Sequence, residues 1–237
     1  MSENMISIVT GASRGIGRAI AVRLAKEKHN LALFGRDKEQ LNTTAVECEK
    51  QNVKVLTFTG DVVDPTFVNE SVKQVISKFG KVDNLINNAG VAVLKKFVET
   101  DLDEFKMQMD TNMYGVFNFT KAVIDNMIER KSGNIINISS LAGKNAFVHG
   151  STYGATKHAL MGFTKSLMME VRQYDVRVTA ICPGSVNTEM IMGTPIEPKD
   201  VNKVLSPSDV AETVLTVIKL PITALVSEID IRPTNPK

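Results

Sequence analysis

The sequence is poor in the side chains that bind metals or form disulfides, with two cysteines and three histidines among its 237 residues. Cys48 and Cys182 lie far apart in the chain, and His29, His149 and His158 show no zinc-ligand spacing. We therefore expect no disulfide framework and no metal site. Such sparse cysteine use favours a reducing cytoplasm.

Long apolar runs and blocks of one charge are also missing. No run approaches the roughly 18 residues of a transmembrane helix. The N-terminus, Met1-Ser2-Glu3-Asn4, carries an acid where an export signal carries basic residues. The 28 basic and 26 acidic residues are interspersed, so no basic arm predicts nucleic acid or a membrane as a partner. We expect one cytoplasmic domain over residues 1–237 that acts on a small molecule.

Short β-branched runs alternate with segments of helical spacing, a pattern typical of a parallel sheet covered on both faces. The fold class predicted is α/β, a Rossmann-type doubly wound sheet of seven parallel strands flanked by helices. The predicted strands span residues 5–10, 30–34, 53–59, 82–87, 134–139, 176–182 and 224–229. The predicted helices span residues 14–28, 102–127 and 151–173, and a further one starts at Asp64 and Pro65 and ends at Lys78.

One irregular segment, residues 187–203, follows the sixth predicted strand and contains Gly193, Pro195 and Pro198. Doubly wound sheets bind ligands beyond the carboxyl ends of their strands. A loop of this length is usually functional or disordered. We expect a mobile lid over the site, and a plain surface loop is the alternative.

A glycine-rich turn lies between the first predicted strand and the first predicted helix, where residues 10–17 read TGASRGIG. Glycines let the backbone approach a pyrophosphate, and the amides of a helix N-terminus attract its charge. The spacing GxxxGxG differs from the common GxGxxG fingerprint. The turn predicts dinucleotide binding, and an ordinary tight turn is the alternative.

The end of the second predicted strand bears on the choice of cofactor. Enzymes specific for NAD place an acid there for the adenosine ribose, but Gly35 occupies that position and Arg36 follows it. A guanidinium suits the 2′-phosphate of NADP, and Arg14 offers a second one. NADP(H) is therefore favoured over NAD(H). The alternative is that both arginines are solvated and Asp37 supplies the acid.

Tyr153 and Lys157 lie four residues apart on a predicted helix and so share one face. A nearby ammonium stabilises a phenolate, so we expect Lys157 to lower the pKa of Tyr153 towards a range useful for acid–base catalysis. Ser140, at the end of a predicted strand, could bind a substrate oxygen. Any one of these residues alone is a weak signal.

Taken together, these elements resemble the classical short-chain dehydrogenase/reductase family, from residue 5 to about residue 188. The resemblance rests on TGxxxGxG at 10–17, Asp61, NNAG at 87–90, Asn112, Ser140, YxxxK at 153–157 and PG at 183–184. It implies that Asn112, Ser140, Tyr153 and Lys157 are catalytic. In that role, Asn112 would distort its helix and hold a water that links Lys157 to solvent.

The resemblance also implies a set of cofactor contacts. Arg36 would bind the 2′-phosphate, Asp61 the adenine amino group, and Thr188 the nicotinamide amide or the diphosphate. The full implied set is Gly11, Ser13, Arg14, Gly15, Ile16, Gly17, Arg36, Asp61, Val62, Asn88, Ala89, Gly90, Tyr153, Lys157, Pro183, Gly184, Val186 and Thr188.

The implied reaction is the reversible, NADPH-dependent reduction of a carbonyl to an alcohol. Ser140 would position the carbonyl, Tyr153 would protonate its oxygen, and Lys157 would hold the ribose hydroxyls. Residues 226–234 depart from the glycine-rich ending of 3-oxoacyl-carrier-protein reductases and look more like the endings of small reductases for 3-hydroxy acids, pterins or miscellaneous ketones. The expected substrates are small ketones or 3-hydroxy and 3-oxo acids.

Two alternatives to this reading stay open. The first is a 3-oxoacyl-carrier-protein reductase, for which Arg130, Lys131 and Arg172 would bind the acidic carrier. The second is a non-catalytic NADPH sensor. The resemblance also implies a dimer or tetramer, paired through the helices that begin at Leu102 and Ser151.

Overall fold

Parallel strands built from buried β-branched and leucine residues form the centre of the structure. The computed structural model describes residues 4–235, so both ends of the predicted 1–237 domain and most of the Met1–Asn4 segment lie outside the described residues. The strands are β1 (Ile6–Thr10), β2 (Asn30–Gly35), β3 (Val55–Thr59), β4 (Asn84–Asn87), β5 (Gly133–Ile138), β6 (Val176–Pro183) and β7 (Glu228–Ile231).

All neighbouring strands pair in parallel, in the order β3-β2-β1-β4-β5-β6-β7. The register places Val9 of β1 between Leu33 of β2 and Ile86 of β4. The order reverses beside β1, since the chain first extends the sheet through β2 and β3 and then returns to β4. A reversal of this kind opens a crevice at the carboxyl ends of the strands.

Helices cover both faces of the sheet through their apolar stripes. They are α1 (Gly15–Lys26), α2 (Lys38–Glu49), α3 (Pro65–Phe79), α4 (Leu102–Met109), α5 (Gly115–Arg130), α6 (Ser151–Val171) and α7 (Pro207–Lys219). Buried side chains of α1, α2 and α7 share one core with the sheet, and those of α3, α5 and α6 share another. None of the described helices is long and apolar enough to cross a membrane.

The predicted doubly wound parallel sheet is confirmed, and so is the start of α3. The Asp64 carboxylate accepts hydrogen bonds from the backbone N–H groups of Thr66 and Phe67, and Pro65 occupies the first turn. Several predicted ends were wrong by one or two residues, and two differences are larger. The helix expected over 102–127 is divided into α4 and α5 by a π-helical turn, Asp110–Tyr114.

The last strand also differs from the predicted 224–229, since β7 begins only at Glu228. The preceding carbonyls of Ala224 and Val226 accept hydrogen bonds from the side chains of Arg177 and Thr179. The apolar run from residue 224 is therefore held to β6 by side chains before regular strand pairing starts.

A row of polar side chains crosses the amino-terminal part of the sheet. Ser7, Asn84, Asn134 and Arg177 occupy registered positions on β1, β4, β5 and β6. Each is hydrogen-bonded to the next, with distances of 3.0 Å, 2.7 Å and 2.7 Å along the row. At the β1 end the Ser7 hydroxyl lies 2.8 Å from Nδ1 of buried His29. Because buried polar groups are costly without partners, this row fixes the strand register.

Burial lowers the pKa of His29, and the carboxylates of Asp83 and Glu27 oppose this effect only in part. The folded protein therefore binds a proton at His29 less readily than the unfolded chain, whose imidazole takes up a proton below about pH 6.5. Because the unfolded state then binds more protons, the free energy of unfolding falls as the pH drops below about 6.5. Urea unfolding at about pH 8 and about pH 5.5 should show this loss in the wild type and a smaller loss in His29→Gln.

His158→Gln is the matched control, because it removes an exposed imidazole and should keep the wild-type pH dependence. A His29→Gln protein with the same loss of stability as the wild type would contradict the assignment.

Candidate active site

The carboxyl ends of β1 and β4 are joined by a compact set of hydrogen bonds. The Thr10 hydroxyl accepts from the backbone N–H groups of Asn88 and Ala89, at 2.9 Å and 3.0 Å. The Asn88 side-chain amide donates to the carbonyls of Thr10 and Gly11, at 2.9 Å and 3.2 Å. The turn after β1 is thus held against the segment after β4, and together they form the floor of a crevice.

The turn at residues 10–17 requires glycine at three positions. Gly11 and Gly15 have φ angles of 65° and 56°, in the left-handed region that other residues rarely adopt. A Cβ atom on Gly17 would lie 2.1 Å from the carbonyl oxygen of Gly11, so only hydrogen fits there. The Arg14 side chain makes no cap hydrogen bond to α1. The first amides of α1 therefore stay available to an anion.

A cleft of about 610 Å³ opens above this turn. Fourteen of the residues expected to bind cofactor line it, namely Gly11, Ser13, Arg14, Gly15, Ile16, Arg36, Asp61, Val62, Asn88, Ala89, Gly90, Tyr153, Lys157 and Thr188. Gly17, Pro183, Gly184 and Val186 do not line it, and neither do Ser140 and Asn112. Gly17 packs beneath the turn, so its role in the site is to let the Gly11 carbonyl lie close to α1.

The cleft also contains residues that the sequence analysis does not assign to the cofactor. These are Gly35, Asp37, Gln40, Gly60, Val91, Ala92, Thr111, Ile138, Ser139, Glu189 and Met190. Most of them adjoin an assigned residue in the chain. The carboxyl ends of neighbouring parallel strands meet at one edge of the sheet. The residues that follow each predicted strand could therefore have been predicted to line the cleft.

Two arginines lie at one end of the cleft, and both are largely exposed, with 64% and 66% of the side chains of Arg14 and Arg36 accessible. Arg36 lies 3.8 Å from the carboxylate of Asp61, and Arg14 pairs with Glu189. Asp37 caps α2, since its carboxylate accepts from the backbone N–H of Gln40 at 3.0 Å. This end of the cleft therefore presents two guanidinium groups, each facing one carboxylate, and the Asp37 carboxylate is already bonded to α2.

At the other end of the cleft, α6 places Tyr153 and Lys157 one turn apart. The Lys157 ammonium donates a hydrogen bond to the carbonyl of Ile138 at 3.0 Å and lies 5.8 Å from the centre of the Tyr153 ring. The Ser140 hydroxyl accepts from the backbone N–H of Ala142 at 3.1 Å and also interacts with the Tyr153 phenol. A hydroxyl from the segment after β5 and a phenol and an ammonium from α6 thus lie close together.

Burial dominates the ionisation of this pair. It raises the pKa of Tyr153 to about 12, with the Ser140 hydrogen bond opposing the rise, and it lowers the pKa of Lys157 to about 8. The expectation that Lys157 lowers the pKa of Tyr153 was therefore wrong. The physical reason is that burial removes water from the phenolate, and the Ser140 hydrogen bond is the interaction that opposes this rise.

Asn112 lies in the π-helical turn between α4 and α5 and is completely buried. Its side-chain oxygen accepts from the backbone N–H of Val91 at 2.9 Å. Its amide donates to the carbonyl of Val91 at 2.9 Å and to the Thr156 hydroxyl at 3.0 Å. The side chain thus joins the segment after β4 to α6, the helix that carries Tyr153 and Lys157.

Residues 5–198 match the sequence model of a family described as short chain dehydrogenase. An uncharacterized oxidoreductase of Staphylococcus aureus is 36% identical over 228 residues, which cover 96% of each chain. Within residues 4–235, no group of three or more histidine, cysteine, aspartate or glutamate side chains could hold a metal ion.

Solved structures show the same similarity in three dimensions. An alcohol dehydrogenase from the archaeon Thermococcus sibiricus, complexed with 5-hydroxy-NADP, has a TM-score of 0.90 at 33% identity, over 98% of this chain and 97% of that one. An actinorhodin polyketide ketoreductase variant with NADPH has a TM-score of 0.90 at 31% identity, over 100% of this chain and 98% of that one.

Gly17→Ala should destabilise the fold by about 3 kcal/mol or more, because the new methyl group overlaps a backbone carbonyl that cannot retreat. The matched control is Gly162→Ala in α6, where a Cβ meets nothing within 4 Å. That change should be neutral or stabilising by up to about 1 kcal/mol, as expected for alanine in a helix. Urea unfolding of both variants measures the difference, and equal stabilities would refute the close approach at residue 17.

Proposed function

The chain is an oxidoreductase that belongs to the short chain dehydrogenase family, and from that premise we propose that it reduces a carbonyl to an alcohol, reversibly, with NADPH. One observation carries this proposal. Tyr153, whose phenol the Ser140 hydroxyl contacts, and Lys157 line one end of a cleft that has a glycine turn in its floor and two guanidinium groups at its other end. Acid–base groups and an anion site in one cleft suit a reaction on a phosphorylated cofactor.

The residues of the cleft fit a nicotinamide dinucleotide. Its volume of about 610 Å³ lies within the range of roughly 300–1,000 Å³ for small-molecule sites. The turn at 10–17 and the start of α1 would hold the pyrophosphate, Asp61 and Val62 the adenine, and Asn88 to Gly90 the ribose. Thr188, with the Pro183, Gly184 and Val186 backbone, would hold the nicotinamide end. When bound, the nicotinamide supplies a hydride.

The charges at the adenosine end support NADP(H) over NAD(H). Gly35 carries no acid for the ribose hydroxyls, and the neighbouring acid Asp37 is engaged as the cap of α2. Arg36 and Arg14 are exposed cations that a 2′-phosphate could recruit from Asp61 and Glu189. The two structural relatives described above were solved with NADPH or with 5-hydroxy-NADP.

The proposed chemistry in this chain consists of proton transfer and orientation. With its pKa raised to about 12, Tyr153 is a protonated phenol at neutral pH and can donate its proton to a carbonyl oxygen. Ser140 would donate a hydrogen bond to that oxygen, and Lys157 would hold the ribose hydroxyls. The charge of Lys157 would then stabilise the phenolate left behind.

Asn112 is proposed as the link between this site and the proton supply. Its side-chain groups are taken up by Val91 and Thr156. A water that joins Lys157 to solvent would therefore be bound by the backbone of the π-helical turn, a distortion frequent at functional sites.

Small ketones or 3-hydroxy and 3-oxo acids are the proposed substrates. Val91, Ala92, Ile138 and Met190 give the cleft apolar walls beside its few polar groups. Of the cations suggested for an acidic carrier protein, Arg130 is bound to Asp83 at 2.9 Å and to the carbonyl of Val82 at 2.9 Å. This engagement removes Arg130 from the set proposed for a 3-oxoacyl-carrier-protein reductase, whereas Lys131 and Arg172 are exposed.

We also propose a homodimer or homotetramer that works in the cytoplasm. Leu102, Tyr114 and Phe117 are exposed large apolar side chains on or between α4 and α5, the region implicated in pairing. Cys48 and Cys182 are free and buried, which fits a reducing compartment.

Tyr153→Phe should lower turnover at least about 100-fold, the usual size of a general-acid contribution. The dissociation constant for NADPH should stay within about twofold of the wild type, because the ring is kept. Tyr174→Phe, outside the cleft, is the matched control and should behave as the wild type.

NADPH absorbance followed with a panel of ketones, aldehydes and 3-oxo esters measures turnover. A fully active Tyr153→Phe protein would refute the role, and NADPH binding without turnover on any substrate would favour the sensor.

Arg36→Leu should raise KM for NADPH about 10- to 100-fold and leave KM for NADH nearly unchanged, since a hydrogen bond to a charged group contributes about 1.5–3 kcal/mol. Arg18→Leu is the charge-matched control, because Arg18 pairs with Glu47 outside the cleft. Steady-state kinetics with both cofactors measures the change. An equal loss with NADPH and NADH would show that Arg36 does not bind the 2′-phosphate.

A further inference from the structure

Two side-chain amides one helical turn apart, Gln108 and Asn112, make parallel contacts beside the catalytic helix. Both are completely buried. Each accepts a backbone N–H from the segment after β4, and each donates to a threonine hydroxyl of α6. The family resemblance assigns a role to Asn112 and none to Gln108.

Gln108 uses its whole amide within the protein. Its Oε1 accepts the backbone N–H of Val93 at 3.0 Å. Its Nε2 donates to the Thr152 hydroxyl at 3.0 Å and to the carbonyl of Glu104 at 3.3 Å. An apolar side chain could fill the same volume without paying the desolvation cost of an amide. The cost is offset only because each polar atom finds a partner in a defined position.

The partners of this amide lie next to the reacting groups. Thr152 directly precedes Tyr153 at the start of α6, and it is 7% exposed. One turn later the Thr156 hydroxyl, held by Asn112, donates to the carbonyl of Tyr153 at 2.8 Å. Tyr153 thus lies between two hydroxyls that α4 and the π-helical turn hold in place.

The same two amides also fix the opposite wall of the cleft. Ala92, which lines the cleft, lies between Val91 and Val93, the two residues whose backbone N–H groups the amides bind. The distance between that wall and the Tyr153 phenol therefore depends on both amides. A displacement of about 1 Å in such a distance can lower the rate of a reaction about 100-fold.

We propose that Gln108 is a positioning residue for the reductase reaction, acting through Thr152 to hold Tyr153 at a fixed distance from the cleft wall at Val91–Val93. This assignment rests on the proposed function. It predicts that the Gln108–Thr152 hydrogen bond controls proton donation by Tyr153 and has little effect on cofactor binding at the glycine turn.

The kinetic test uses Gln108→Met, Thr152→Val and their double variant, with Thr152→Ser as the conservative change that keeps the hydroxyl. In Gln108→Met and Thr152→Val, kcat should fall about 10- to 100-fold while KM for NADPH stays within about twofold. Thr152→Ser should retain most of the wild-type kcat. The double variant should lose no more than the worse single variant, because both changes remove the same hydrogen bond.

Thr164→Val is the matched control for stability. Thr164 is also a buried threonine of α6, and its hydroxyl accepts from Asn137, away from Tyr153. It should lose comparable stability in urea unfolding and keep the wild-type kcat. The primary isotope effect with NADPH deuterated at C4 adds a readout that is independent of the folded fraction. It should rise in Gln108→Met and stay unchanged in Thr164→Val.

A spectroscopic measurement separates this proposal from the proposed function. The chain has three tyrosines, so ring-labelled protein gives three Cζ NMR signals, and Tyr153→Phe identifies the signal of Tyr153. That signal should shift in Gln108→Met and Thr152→Val and remain in place in Thr164→Val.

Inactive wild-type protein would refute the proposed function, and the NMR result would still decide the position of Tyr153. Active wild type together with unchanged kcat, isotope effect and Tyr153 signal in Gln108→Met and Thr152→Val would overturn the assignment of Gln108.

Discussion

The contact between the end of β1 and the segment after β4 is the constraint on which the site depends. The Thr10 hydroxyl accepts hydrogen bonds from two backbone N–H groups, and the Asn88 side-chain amide donates two hydrogen bonds to carbonyls of the turn. Gly17 allows this approach because its missing Cβ leaves room for the Gly11 carbonyl. Without that approach, the start of α1 and the wall of the cleft would not line the same cavity.

Desolvation connects the scaffold to the chemistry. The packing of α6 against β6 and against the turn after β5 removes water from Tyr153 and Lys157, so the phenol keeps its proton more firmly and the ammonium holds its own less firmly. The two proton affinities, nearly equal in water, therefore move apart. A bound substrate and cofactor would have to bring the proton affinity of the phenol down again before it gives up its proton.

The sequence allowed the fold class and most of the cleft to be predicted, for identifiable physical reasons. Buried parallel strands produce continuous β-branched runs, and a turn with positive φ favours glycine because other residues adopt that conformation only with strain. Helix α2 was harder to find, since its buried side chains, Leu41, Thr44, Ala45 and Cys48, form a weak stripe among polar residues. Helix α7 was also not predicted, although Ser206 and Asp209, which form a capping box around Pro207, mark its start.

Long-range features could not be predicted from periodicity. The π-helical turn at Asn112 leaves the apolar spacing of α4 and α5 nearly continuous, so the sequence indicates one helix. The pKa directions of Tyr153 and Lys157 depend on how much water the surrounding helices exclude, and a spacing of four residues carries no information about that. The partners of Gln108 lie 15 residues earlier and 44 residues later in the chain, and only the fold brings them together.

The most direct test of the central claim is to follow the transferred hydrogen itself. Wild-type protein is incubated with NADPH deuterated at C4 and a panel of carbonyl compounds, and the alcohols are analysed by mass spectrometry. The account predicts an alcohol that carries deuterium on its carbinol carbon. Two results would contradict it. One is an alcohol that carries no deuterium, whichever face of C4 is labelled. The other is a protein that binds NADPH but forms no alcohol from any carbonyl compound.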